Sequence, residues 1–228
     1  MMRKLSIVIP IYNEEKTLLE ILKKVENAPV FNLEKEIILI DDGSTDSTKI
    51  ILKNLGNKYK VLYHQKNQGK GKAIRTGFEK TTGDIILIQD ADLELNPNNY
   101  PQLLKPILEN KADIVYGSRY KQKDSSIYKS HYWGVKILSF LTNLLYGSKL
   151  TDVYCGYKVF KTNILKNLKL VSNGFEIESE LTVKSLKKGY KITEVPIDYF
   201  PRSFDQGKKI RLSNGLKAIL IIIKNRFF

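Results

Sequence analysis

The chain has 228 residues, is 42% hydrophobic and carries a formal net charge of +14. Those values suit one large globular domain with a real core and exclude a disordered or fibrous chain. A lone cysteine, Cys155, excludes an internal disulfide and any cysteine-based metal site, and two histidines leave too few ligands for a histidine-rich zinc centre.

The charge is uneven. Residues 1–100 hold 15 Lys/Arg against 14 Asp/Glu, and residues 101–228 hold 23 against 10. The basic second part points to an anionic partner, either nucleic acid, an anionic membrane face or a phosphorylated substrate, unless it reflects a lysine-rich proteome. The N-terminus, MMRKLSIVIP, mimics a signal peptide, but its apolar stretch is short and contains Pro10. It runs into Asn13-Glu14-Glu15 with no small-residue cleavage site, so it reads as a buried first strand. No apolar run reaches the ~18–20 residues that span a bilayer.

In chain order, Leu5–Ile11 reads as a strand and Glu14–Val25 as a helix capped by Asn13, with Glu14 and Glu15 at its positive end. Glu36–Ile40 is a second strand ended by Asp41-Asp42-Gly43-Ser44, and Asp46–Leu55 a second helix. Lys60–His64, Lys70–Lys80 and Asp84–Gln89 follow as strand, helix and strand, then Asn99–Glu109 and Asp113–Tyr116 as helix and strand. This alternation predicts an α/β fold, a Rossmann-like, mostly parallel sheet with helices on both faces. The remainder is less regular. Ser130–Tyr146 reads as a helix with Trp133, Ile137, Leu141 and Leu144 on one stripe. Ile177–Lys188 reads as a helix, Lys191–Ile197 as a strand and Leu212–Lys224 as a terminal helix. No repeat or low-complexity linker divides the chain.

Four polar clusters fall at successive strand ends: Pro10-Ile11-Tyr12-Asn13-Glu14, Asp41 to Asp46, Gly69-Lys70-Gly71-Lys72 and Asp90-Ala91-Asp92-Leu93-Glu94. In a parallel sheet these ends share one edge and converge on one crevice. Tyr12 can stack on a base. Asp42 can accept hydrogen bonds from a base or a ribose, and Lys70 and Lys72 can meet phosphates near a helix N-terminus. Asp90, Asp92 and Glu94 offer hard oxygen ligands for Mg²⁺ or Mn²⁺, which suit phosphates. Capping or surface acids are the bland reading of the same triplet. Gly69-Lys70-Gly71 is no dinucleotide fingerprint, since Ile74 stands where the third glycine belongs, and no P-loop exists. His64 at a strand end is read as structural. Glu176, Glu178 and Glu180 alternate as at an extended helix entry, one of them able to bind a sugar hydroxyl and the other two expected in solvent.

The motifs SIVIPIYNEE (6–15), IILIDDGSTDST (37–48), NQGKGKAIRTG (67–77), DIILIQDADLE (84–94), YGSRY (116–120), TDVYCGYKVF (151–160), FEIESEL (175–181) and EVPIDYFPRS (194–203) span nearly the whole chain. Together they resemble the inverting nucleotide-sugar glycosyltransferases of family 2 with the GT-A fold, and more narrowly the dolichyl- or polyprenyl-phosphate hexosyltransferases. The resemblance implies a single GT-A catalytic domain over residues 1–228, with a nucleotide-sugar-binding half (1–95) and a basic acceptor half (96–228) whose C-terminal segment is interfacial. It implies a UDP- or GDP-hexose donor held by Pro10, Tyr12, Glu14 and Asp42, to which the position of Lys72 near a helix N-terminus adds a phosphate contact. Asp90 and Asp92 would bind the divalent metal, Mg²⁺ or Mn²⁺, and Glu94 stands where the family often has Gln. Arg119 and Arg202 match basic positions near the donor and acceptor phosphates. Asp152 lies close to the transferred sugar, as a base, as an anchor for a sugar hydroxyl or as a turn cap.

The implied reaction moves a hexose to a polyprenyl phosphate at the inner face of the cell membrane, with the enzyme cytoplasmic and peripheral. Arg119, Arg202, Lys208, Lys209 and Arg211 are candidates for gathering anionic headgroups. The segments Tyr128–Tyr146 and Leu216–Phe228 can lie in the interface plane, the first being equally compatible with a core-facing helix. Many relatives continue into transmembrane helices, whereas this sequence stops at Phe228, which leaves room for a separate membrane-anchoring subunit. The only tryptophan, Trp133, lies outside the Gln-x-x-Arg-Trp motif of processive synthases. A soluble or polysaccharide acceptor is the alternative. A sugar nucleotidyltransferase would carry a glycine-rich loop in place of Pro10-Ile11-Tyr12-Asn13. No nucleic-acid partner is expected, because carboxylates at strand ends repel a polyanion.

Overall fold

A computed structural model describes residues 2–121, 129–202 and 212–227. Tyr128, Lys208, Lys209 and Arg211, and the side chain of His131, lie outside the described residues.

Seven strands form one sheet in the order β3-β2-β1-β4-β6-β5-β7. They are β1 (Lys4–Ile11), β2 (Glu34–Asp41), β3 (Lys60–Tyr63), β4 (Ile85–Ile88), β5 (Ile114–Ser118), β6 (Lys158–Lys161) and β7 (Ile192–Pro196). Between them run α1 (Leu18–Asn27), α2 (Thr48–Asn54), α3 (Lys70–Phe78), α4 (Tyr100–Leu108), α5 (Lys129–Tyr146), α6 (Thr162–Asn167) and α7 (Ile177–Lys187), and α8 (Leu212–Phe227) follows β7. Strand β6 pairs antiparallel with both β4 and β5, and every other pairing is parallel.

The continuous Ile/Leu runs of β1, β2 and β4 follow from cover on both faces. Leu5, Ile7 and Ile9 of β1 point into one apolar layer with Leu18, Ile21, Leu103 and Leu104, contributed by α1 and α4. Val8 points into the other with Ile38, Ile40, Ala73, Ile74 and Ile177, contributed by β2, α3 and α7. A third layer packs α5 and α8 through Val135, Leu138, Ala218 and Ile222 onto Val183 of α7. Helix α7 is therefore covered on two sides. That cover explains why Glu178, Ser179, Glu180, Thr182 and Ser185 are all buried, and it corrects the expectation that two of the three glutamates face solvent.

Three further expectations change. Asn13 does not cap a helix, because α1 begins at Leu18. Asn13 adopts φ 51° and uses its amide oxygen to accept from Thr45 N at 2.8 Å, tying the two loops together, while Glu14 O takes Thr17 N and Leu18 N. On α5, Trp133, Ile137 and Leu144 are exposed and Leu141 only partly buried, while Val135 and Leu138 face the core, so this helix is apolar on two faces. Strand β6 and helix α6 are additions. The four residues Lys-Val-Phe-Lys are too short and too charged to read as a strand, yet Lys158 is fully buried within it.

Only the parallel strands present carboxyl ends at the upper edge. Because β6 runs the other way, its lead-in, residues 151–157, arrives at that same edge. Gly77 of α3 fits directly against β1 and β2, and a Cβ there would meet Val8 Cγ1 and Ile40 Cδ1. Gly77→Val is expected to destabilise the protein by about 1–3 kcal/mol through overpacking. Thermal unfolding should show a melting temperature several degrees lower.

Candidate active site

A cavity of about 280 Å³ opens at the carboxyl edge of the sheet. The loop after β1 brings Pro10, Tyr12 and Glu14, and the end of β2 brings Asp42. The start of α3 adds Lys70, and the turn after β4 adds Asp90, Asp92 and Glu94. Arg119 follows β5, Gly156 precedes β6, Glu178 comes from α7, and Tyr199 and Arg202 follow β7. Of the candidate site residues singled out in the sequence, Lys72, Asp152, Glu176 and Glu180 do not line this cavity.

The acids converge, and each has partners. Asp42 is nearly fully buried. Its Oδ1 accepts from Gln68 N at 3.0 Å, its Oδ2 from Gly69 N at 2.8 Å, and His64 Nδ1 lies 2.7 Å from Oδ1. Asp42 thus shapes the loop entering α3, and His64, whose Nε2 is 3.0 Å from Thr76 Oγ1, braces it from behind, as the structural reading of His64 anticipates. Gly69 and Gly71 have a packing reason. A side chain at either would run into the backbone of Ser172, Asn173 and Gly174, and Lys72 N donates to Asn173 O at 3.1 Å, which turns that end of the helix toward the protein.

The turn carrying Asp90 and Asp92 rests on a buried polar network. Gln89 Oε1 accepts from the hydroxyls of Tyr100 and Tyr157, each at 2.8 Å, and Gln89 Nε2 donates to Asp90 O at 2.9 Å. Gly156 passes so close that a Cβ would collide with Asp90 Oδ2. Lys70 Nζ sits 2.7 Å from Asp90 Oδ1 and 2.9 Å from Glu178 Oε1. Arg202 bridges Glu14 Oε2 at 3.1 Å and Asp92 Oδ2 at 3.2 Å, and its backbone N donates to Glu94 Oε1 at 2.8 Å. Glu94 Oε2 also accepts from Tyr199 Oη at 3.2 Å.

Asp152 is fully buried behind Arg119. Arg119 Nε lies 2.7 Å from its Oδ2 and Nη2 2.8 Å from its Oδ1, while Asp152 N donates to Glu194 Oε1 at 2.8 Å. Such a fork-to-fork pair fixes a guanidinium in direction as well as place. The ring of Tyr199, 5.1 Å from Arg119 Cζ, flanks it. Sequence reading attached no role to Gln89, Lys158 or Glu194. Gln89 has one signal, a polar residue at the end of an all-apolar run, and Lys158 and Glu194 have none.

The Asp92 carboxyl is pushed up to about 7, first by burial and then by the nearby charges of Asp90 and Glu94, with Arg202 working against them. Negative charge is therefore in excess where Asp92 meets the cavity. That excess and the all-oxygen donor set fit a hard divalent cation. Among the described residues no three His, Cys, Asp or Glu side chains form a ready-made ligand group. The fit is thus to an ion held by one or two carboxylates and completed by ligand oxygens, as Mg²⁺ is at phosphates.

Among the described residues no helix is long and apolar enough to cross a membrane. Exposed apolar side chains instead line two helices at the same spacing: Trp133, Ile137, Phe140 and Leu144 on α5, and Leu216, Leu220, Ile223 and Phe227 on α8.

Comparison with known proteins agrees with this geometry. The model of Glycosyl transferase family 2 matches residues 6–169. An uncharacterized protein of Methanocaldococcus jannaschii is 32% identical over 207 residues, a match covering 84% of this chain and 87% of that one. A protein of Pyrococcus furiosus named dolichol-phosphate mannosyltransferase is 31% identical over 211 residues, covering 90% of this chain and 59% of that longer one. Glucosyl-3-phosphoglycerate synthase from Mycobacterium tuberculosis, solved with Mn²⁺, uridine diphosphate and glucosyl-3-phosphoglycerate, superposes with a TM-score of 0.76 at 20% identity, over 98% of this chain and 80% of that one. The fold is the GT-A fold.

A raised Asp92 has a signed consequence. An aspartate ionises near ~3.9 when unfolded, so between that value and about 7 the folded protein holds a proton that the unfolded chain has lost. Metal-free protein should lose stability as pH rises from 5 to 8, and Asp92→Asn should remove that part of the slope. Melting temperatures of both proteins across that range check it.

Proposed function

The chain belongs to glycosyl transferase family 2 and is a glycosyltransferase, and we propose that it moves a hexose from a nucleotide-diphosphate sugar to a polyprenyl phosphate at a membrane surface. The observation that carries this reading is the pairing, in one cavity, of Asp90 and Asp92 with the cations Lys70, Arg119 and Arg202. Carboxylates beside fixed cations suit a metal-bound diphosphate next to a second phosphate. The name of the Pyrococcus furiosus relative, of which this chain spans 59%, supports the acceptor class.

In this reading Asp92, with Asp90, holds a divalent metal. When bound, that ion supplies charge stabilisation to the departing nucleoside diphosphate. Tyr12 and the loop shaped by Asp42 receive the nucleoside. Lys70 and Arg202 add positive charge where the diphosphate leaves, and Arg119 faces the acceptor phosphate. Asp152 gives both oxygens to Arg119 and acts as its positioning residue. No general base is required, because a phosphate monoester with a second pKa near ~6 is largely dianionic at neutral pH and attacks unaided. Attack on the face opposite the leaving group inverts the anomeric carbon.

The two exposed apolar stripes of α5 and α8 support a membrane-lying face. Each belongs to a helix whose core side is already packed, and Lys217, Lys224 and Arg226 stand exposed beside the α8 stripe. A helix with this division of faces lies in the headgroup region, and basic neighbours add about 1 kcal/mol each on anionic lipid. The halves 1–95 and 96–228 then divide the work, the first carrying most of the donor site and the second receiving the lipid while lending Arg202 to the diphosphate.

The test is incubation with labelled UDP-glucose, GDP-mannose, UDP-GlcNAc or UDP-galactose, Mn²⁺ or Mg²⁺, and a short polyprenyl phosphate in detergent or vesicles. One donor should give organic-extractable label that EDTA abolishes, and Asp92→Ala should lower turnover at least ~100-fold. Metal-dependent donor hydrolysis without lipid product would contradict the acceptor. Full activity in Asp92→Ala would contradict the metal site.

A further inference from the structure

We propose that Lys158 and Glu178 are positioning residues that hold Lys70 against Asp90, fixing a built-in cation where the donor's diphosphate binds. The proposal rests on reading the cavity as a nucleoside-diphosphate site.

Four charges of alternating sign run from the interior to the cavity. Lys158, on β6, has a fully buried side chain, that of Glu178 on α7 is 2% exposed, that of Lys70 at the start of α3 is 14% exposed and that of Asp90 is 21% exposed. Lys158 Nζ donates to Val153 O at 3.3 Å, Cys155 O at 2.5 Å and Glu178 Oε2 at 2.5 Å, which uses all three ammonium protons. The ring of Tyr116 lies 4.6 Å from the same nitrogen. The other Glu178 oxygen, Oε1, is 2.9 Å from Lys70 Nζ, which lies 2.7 Å from Asp90 Oδ1.

Burial disfavours the charged form of Lys70, but the carboxylates of Asp90 and Glu178 outweigh it and hold the ammonium well above the usual lysine range. Glu178 is held below the usual carboxylate range against its own burial, by Lys158 first and Lys70 second. Neither inner charge would be tolerable alone. An apolar pair of similar size would fill the space of Lys158 and Glu178 without desolvating any charge. The pair does something such a replacement could not: it offers Lys70 a fixed carboxylate on the side away from Asp90. A lysine is a point charge on a flexible stem. Clamped between two carboxylates it becomes a preorganised cation that needs no rearrangement as negative charge builds beside it.

Isothermal titration of UDP and of GDP, each with Mn²⁺, into four proteins tests this: the wild type, Lys70→Met, Lys158→Met/Glu178→Gln, and the triple variant. Wild type should bind one of the nucleotides. Lys70→Met should weaken it about tenfold, the worth of one charged hydrogen bond. The pair variant should weaken it comparably, and the triple variant should bind no more weakly than Lys70→Met, because the pair acts only through Lys70. A merely structural pair would lower the melting temperature without that non-additivity. Wild-type affinity in the pair variant, or losses that multiply in the triple variant, would overturn the proposal. Should the pair variant fail to fold by circular dichroism, Glu178→Asp, which keeps the charge but withdraws it from Lys70, takes its place with the same expected pattern. Wild-type protein that binds neither nucleotide would defeat the reading of the cavity itself, and this proposal with it, whatever the variants do.

Discussion

The structure turns on one electrostatic constraint: six carboxylates, those of Glu14, Asp42, Asp90, Asp92, Glu94 and Glu178, border one cavity of about 280 Å³. Like charges so close, three of them buried, are tolerable only when each is met by a cation or by N–H groups. Asp42 is met by the backbone of Gln68 and Gly69 and by His64, Asp90 by Lys70, Glu178 by Lys70 and Lys158, and Glu14 by Arg202. Asp92 is the least compensated, as its elevated pKa shows. The deficit falls at the one place where an incoming cation would relieve it.

That constraint accounts for the odd strand of the sheet. A wholly parallel sheet brings only carboxyl ends to the ligand-binding edge. The reversed β6 delivers an amino end there too, and with it Gly156 against Asp90 and Lys158 beneath Glu178. Two of the cations that balance these acids, Lys158 and Arg202, come from residues 101–228, as does Arg119, which is paired with the buried Asp152, so part of the positive excess of that region is spent inside the fold. The rest remains on the surface, where Lys217, Lys224 and Arg226 stand beside the exposed stripe of α8.

Much of this was legible in the sequence, and the failures have physical causes. The strands β1, β2 and β4 announce themselves because both faces are buried, so every position is apolar, and the polar residues that end them necessarily mark the site. The motifs identify the family because they fall at those ends. Strand β6 was hidden by the lysine inside it, since a buried cation is indistinguishable in sequence from a solvated one. The burial of Glu178 and Glu180 was hidden because it depends on partners that local spacing does not show: Lys158 and Lys70 for Glu178, and the backbone of Val171 and Ser172 for Glu180. Asn13 reads as a cap by local rule, but its amide is claimed by Thr45 across the loop. Local chemistry sets the elements. Which polar residues become internal is decided by partners that sequence spacing does not reveal.

Metal binding at Asp92 is tested by a crystal structure of the protein with Mn²⁺ and its preferred nucleoside diphosphate, with data collected at the manganese absorption edge. An anomalous peak should lie bonded to Asp92, with nucleotide in the cavity beside it and Arg202 turned from Asp92 toward phosphate. Nucleotide bound in the cavity with no manganese at Asp92 or Asp90, or nucleotide bound elsewhere on the molecule, would contradict it.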